Sequence, residues 1–126
     1  MSRDHKKLRV FQLADELVVD VYVVTRELPA EERYGLQSQL RRAAVSAPTN
    51  IVEGCARRST KDDAHFMGIA LGSSSEVRYL LGLTRRLFDV SEQCDDLAER
   101  YGEIVRGLQK LIDALHGVRL PVACSP

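Results

Sequence analysis

The strongest constraint on this chain is a heptad seam near its C-terminus. Leu97, Tyr101, Ile104, Leu108, Leu111 and Leu115 follow one another by four, three, four, three and four. Only an α-helix puts such residues on one face, and such a face must be buried against another helix. Ala98, Val105 and Ile112 lie beside it at intervals of seven. Similar periods recur upstream, and no stretch alternates as a strand does.

Four helices are predicted. The first spans about Val10 to Leu28, with Phe11, Ala14, Val18, Val21, Thr25 and Leu28 facing a core and Leu13, Leu17 and Val24 forming a second stripe. The surplus apolar surface is expected to be buried between subunits. Pro29 ends this helix, because the residue before a proline is driven out of the α region. The second spans about Tyr34 to Arg57, after Glu31 and Glu32, whose charge suits a helix N-terminus. Pro48 lies inside it. It removes one backbone hydrogen bond and crowds the carbonyl of Ala44, so a kink is expected there.

The third helix spans about Lys61 to Phe88, capped by Ser59 or Thr60. Its core stripe is Phe66, Ala70, Ser73, Val77, Leu80, Thr84 and Leu87. Gly68, Gly72 and Ser75 form a small-residue face, where close approach of another backbone would offset glycine's low helix propensity. The fourth spans about Glu92 to His116, with Ser91 as its cap and Gly117 placed as a C′ residue. Short connections make successive helices antiparallel. The expected fold is all-α, an up-down-up-down antiparallel four-helix bundle over residues 10–117. A flexible N-terminal arm (1–9) precedes it and a disordered tail (118–126) follows.

Charge excludes a simple polyanion clamp. The chain of 126 residues carries 18 Lys+Arg and 18 Asp+Glu, a formal net charge of zero. Any basic surface must be local: Arg3-Lys6-Lys7-Arg9, Arg41-Arg42, Arg57-Arg58-Lys61 or Arg85-Arg86. Cys55, Cys94 and Cys124 are widely spaced, without the C-x-x-C pairs of zinc ribbons or thioredoxin-type sites. Free thiols in a reducing compartment follow, and with neither a signal peptide nor an apolar span the expectation is a cytoplasmic protein that does not engage membranes. Asp62 to His65 and Asp113 to His116 are both Asp-x-x-His, and antiparallel packing would bring them to one end of the bundle. Inward glutamates of the di-iron type are not evident, so no metal and no cofactor is expected. Nucleotide and hydrolase fingerprints are likewise missing, and no enzyme is read.

One stripe does not fit a plain bundle. Gln39, Arg42, Ser46, Asn50, Glu53 and Arg57 occupy one face of the second helix. Amides, a hydroxyl and both charges are the components of a hydrogen-bond network. An ordinary solvated face is one account; a network at a helix–helix or subunit contact is the sharper one. Glu76 on the third helix is the expected partner of Arg42.

These residues lie in a longer run, Glu32-Arg33-Tyr34-Gly35-Leu36-Gln37-Ser38-Gln39-Leu40-Arg41-Arg42-Ala43-Ala44-Val45-Ser46-Ala47-Pro48-Thr49-Asn50-Ile51-Val52-Glu53-Gly54. With Leu17-Val18-Val19, Ile69 to Ser73 and Glu76, it resembles the signature of the 23S rRNA intervening-sequence proteins, also called S23 ribosomal proteins. The resemblance spans roughly residues 8–116. It implies a four-helix bundle without known catalytic chemistry, often a ring-shaped homopentamer. The chain is also similar to a bundle protein that accompanies the reverse transcriptase of diversity-generating retroelements and engages nucleic acid. Matching polar positions are Gln39, Arg42, Ser46, Asn50, Glu53, Ser73 and Glu76. Asp63, His65 and Ala47 depart from the family's usual aromatic or apolar, basic and isoleucine residues. Expected partners are copies of the chain and RNA or DNA, with Arg41, Arg57, Arg58 and Lys61 as phosphate contacts; a module binding only proteins is the alternative.

Overall fold

A computed structural model describes residues 3–117, apart from the side chain of Ser91. Within it, α1 (Arg9–Thr25), α2 (Leu36–Cys55), α3 (Thr60–Leu87) and α4 (Ser91–Leu115) form an all-α bundle, preceded by a short 3₁₀ turn at His5–Lys7. Each helix packs on its neighbours in the cyclic order α1, α2, α3, α4, with no close diagonal approach of backbones among the described residues. The expected C-terminal tail lies outside those residues.

The helix ends follow local chemistry. The Glu32 carboxylate accepts from Leu36 N–H at 3.0 Å, filling a vacant donor at the start of α2. Ser59 caps α3 by accepting from Asp62 N–H at 3.0 Å. Gly117 has φ of 70°, the left-handed geometry that favours glycine after a helix. Pro48 sits within α2 without ending it. On either side of the turn that Pro48 interrupts, Thr49 and Asn50 donate to the carbonyls of Val45 and Ser46.

The core is built largely from the predicted seams. Leu97, Tyr101, Ile104 and Leu108 of α4 share one buried cluster with Leu17 and Val21 of α1, Leu40, Ala44, Ala47 and Ile51 of α2, and Val77 and Leu81 of α3. Two expectations change. Both stripes of α1 serve this chain's own core: Leu17, Val21 and Val24 are all buried, because α1 must contact α2 on one flank and α4 on the other. Among the apolar residues left exposed are Val19 and Val23 on α1, Val45 on α2 and Ile69 on α3. On α3, Phe66 is only half-buried and Leu87 is exposed, and the core is completed by Met67, Ser74 and Leu81.

Tyr101 is fully buried and its hydroxyl has no partner among the described residues. Burial, helped by the negative charge of Asp20, pushes its pKa well above the ordinary value. The phenol therefore stays neutral in the fold but can ionise once unfolded, and stability should fall as pH rises beyond about 10. Tyr101→Phe is expected to stabilise the fold by about 1 kcal/mol, since it removes an unsatisfied buried hydroxyl. It should also flatten the alkaline loss. Urea denaturation at pH 7 and pH 10.5 checks both.

Candidate functional site

The polar stripe of α2 lies along its seam with α3. Arg42 pairs with Glu76, as expected from the sequence, and Gln39 accepts from Arg42 at 3.4 Å. Ser46 and Ser73 hydroxyls meet at 2.8 Å, and Asn50 donates to the Ser46 hydroxyl at 3.1 Å. Arg57 donates to Glu53 at 3.3 Å and lays its guanidinium 4.7 Å from the ring centroid of Phe66. The partners on α3 run in reverse order, 76, 73 and 66, as antiparallel packing requires. Of the seven predicted network residues, Arg42, Ser46, Ser73 and Glu76 bond across the helix–helix contact, while Gln39, Asn50 and Glu53 bond to residues of their own segment. The Arg42 and Glu76 side chains are 58% and 38% exposed, so that ion pair contributes well under 1 kcal/mol. The hydroxyl pair beneath fixes the relative slide of the helices.

The seam ends in a close approach. An ideal Cβ on Gly54 would stand 3.0 Å from Asp63 Oδ1, 3.0 Å from Met67 Cε and 3.1 Å from the Asp63 carbonyl oxygen. Close approach was expected instead at Gly68 and Gly72, where a Cβ would meet nothing within 4 Å. Gly54, last residue of the signature run, is the one that lets α2 and α3 touch.

Beyond it lies an arrangement that sequence reading missed. Residues 3–8, expected as a flexible arm, are tied to the bundle. Arg3 N–H donates to the Cys55 carbonyl at 2.8 Å, and its guanidinium pairs with Asp63 at 2.6 Å. The Asp63 side chain is 6% exposed and its Oδ1 has no partner among the described residues. Its signal was the oddity of an acid where the family favours an apolar residue. Burial raises the pKa of both Cys55 and Cys94, keeping their thiols protonated. Among the described residues, no three His, Cys, Asp or Glu side chains gather to hold a metal.

This docking sets the charge distribution. It brings the N-terminal segment to the α2–α3 turn, and Val10 packs over Gly107 of α4. Residues 3–10, 53–66 and 106–117 thus share one end of the bundle, with nine Lys+Arg against five Asp+Glu. Residues 24–40 and 80–99 share the other, with four against eight. A neutral chain is thereby divided into a basic and an acidic end. Of the sequence-predicted phosphate contacts, Arg57, Arg58 and Lys61 stand at the basic end, joined by exposed Lys6, Lys7 and Arg9. Arg57 is committed to Glu53 and Phe66. Arg41 lies apart, about 21 Å of helical rise before the end of α2, beyond which Arg57 stands. It donates to Thr25 Oγ1 at 2.9 Å and to the Tyr22 carbonyl at 3.2 Å, joining α2 to the end of α1.

On the opposite flank, Phe11, Val18, Val19, Val45, Pro48 and Val52 line an apolar groove of about 350 Å³ between α1 and α2. Among the described residues, no helix is long and apolar enough to cross a membrane.

These features define a small antiparallel four-helix bundle with a polar α2–α3 seam and ends of opposite charge. The chain belongs to the 23S rRNA-intervening sequence protein family, whose model it matches over residues 6–110. It is similar to the crystal structure of a protein of unknown function from the S23 ribosomal protein family of Bacteroides thetaiotaomicron. That likeness has a TM-score of 0.74 and 25% identity, covering 82% of this chain and 97% of the other. No curated protein matches the chain.

Proposed function

We propose that this chain is a non-catalytic, cytoplasmic scaffold that self-associates, as a ring of five in the reading taken from its family, and holds RNA or DNA by the phosphate backbone. The observation that carries the reading is the collection of charge from three distant segments at one end of a neutral molecule. Helix stability does not ask for this arrangement. Arg9 opens α1 with no acid in its first turn, so its charge opposes the helix dipole. In a ring with its subunits side by side, the basic end would repeat and its potential would grow. The exposed Val19 and Val45 beside the apolar groove supply a surface for self-association. A polar seam satisfied within one subunit favours an architectural role for the signature residues rather than a chemical one.

Two measurements test the proposal. Light scattering should give a mass above the monomer at micromolar concentration; a stable monomer sinks the scaffold reading. Fluorescence anisotropy should detect binding to structured RNA or to DNA, weakening steeply with salt. Lys6→Glu with Lys61→Glu should reduce affinity at least tenfold, while Arg85→Glu with Arg86→Glu should leave it nearly unchanged. Equal losses from the two pairs, or no binding at low salt, would reject the basic end as the interface. A nuclease-insensitive protein partner in the absence of nucleic-acid binding would favour the protein-only alternative.

A further inference from the structure

The acidic end of the bundle contains a positively lined hollow. Arg26, Leu28, Pro29, Ala30, Arg33, Gln37 and Arg41 line an open pocket of about 500 Å³ between the α1–α2 connection and the start of α2. Three guanidinium groups line it and no carboxylate does. This is an island of positive charge at an end where, Arg26 and Arg33 apart, two bases stand against eight acids.

Two of its polar side chains are already held in place. Arg41 is fixed by Thr25 Oγ1, the Tyr22 carbonyl and the Tyr22 ring, whose centroid lies 4.3 Å from its Cζ. Gln37 donates to the Thr25 carbonyl at 3.1 Å. Those contacts leave some of the Arg41 N–H groups for another acceptor. Arg26 and Arg33 are exposed and make no ion pair among the described residues. Like charges gathered around one hollow repel one another, and an anion between them would relieve that repulsion. Guanidinium groups match the geometry of phosphate oxygens in particular, by paired N–H···O bonds.

We infer that this pocket binds a phosphoryl group, with Arg41 as the pre-set donor and Arg26 and Arg33 closing on the ligand. The group could be free phosphate or pyrophosphate, or it could belong to a nucleic-acid strand. The chemistry is shared, and the test separates the sources. The inference does not rest on the basic end, which lies at the opposite pole of the molecule.

The probe is pyrophosphate, followed by calorimetry and by the Nε–Hε signals of the arginines in ¹⁵N NMR spectra. Saturable binding is expected, with the signals of Arg26, Arg33 and Arg41 shifting together. Arg26→Ala or Arg33→Ala should each weaken it roughly tenfold, the size of one lost charge-assisted contact. Lys6→Glu with Lys61→Glu should leave it unchanged. Competition by a short oligoribonucleotide assigns the group to a strand, at its terminus if a 5′-phosphate is required; lack of competition assigns it to free phosphates. No saturation at millimolar pyrophosphate, or full binding by the Arg26→Ala/Arg33→Ala variant, overturns the inference. Loss of binding on mutating Lys6 and Lys61 instead would place the phosphate at the basic end and overturn it equally.

Discussion

Removing Arg3 should cost far more than its place near the chain terminus suggests. Its guanidinium is the ion-pair partner of Asp63, whose side chain is almost fully buried on α3. Arg3→Ala leaves a carboxylate that cannot leave the helix and has lost its counter-charge. Fully buried pairs broken this way lose about 3–5 kcal/mol. Arg3 is 30% exposed, and water can enter once the segment lifts, so about 2 kcal/mol is expected. Asp63→Ala should be much milder, because Arg3 can then swing into solvent and an unpartnered Oδ1 is removed as well. The double variant should therefore be more stable than Arg3→Ala alone. Denaturant titration of the three variants tests this order. If the double variant is no more stable than Arg3→Ala, the buried carboxylate is not what Arg3 protects.

The second large effect pairs two identical substitutions of opposite outcome. Gly54→Ala gains helix propensity but drives a methyl group against the Asp63 backbone carbonyl, which cannot turn aside as the Met67 methyl can. The α3 backbone must give by a few tenths of an ångström at this close approach, and a net loss of about 2 kcal/mol is expected. Gly68→Ala meets nothing within 4 Å and should stabilise the chain by about 1 kcal/mol through helix propensity alone. Thermal melts resolve the two signs. A stabilising Gly54→Ala would mean that α2 and α3 have room to spare. Because Gly54 touches Asp63, its effect should not add simply to that of Arg3→Ala.

Much of this was legible before any coordinates. The Leu97-to-Leu115 seam is a one-helix property, and its buried residues follow from spacing. The Arg42–Glu76 pairing could be named because both residues lie on recognisable faces of antiparallel neighbours. Gly54 and Gly68 were not distinguishable: both are glycines within helical patterns, and only the distance to the next helix separates them. The role of Arg3 was hidden for the same reason. Nothing in a seven-residue polar leader reveals that a carboxylate 60 positions later lies buried beneath it.

Helix periodicity is a short-range signal, carried by residues three and four apart, and it was enough to establish the four helices, most of the core and the polar stripe. Where charge accumulates is a long-range property. Lys6, Lys61 and Lys110 come to one end only because the chain reverses direction three times, and Arg41 leaves the company of Arg57 because most of a helix lies between them. Antiparallel packing converted a sequence with no net charge into a molecule with two unlike poles.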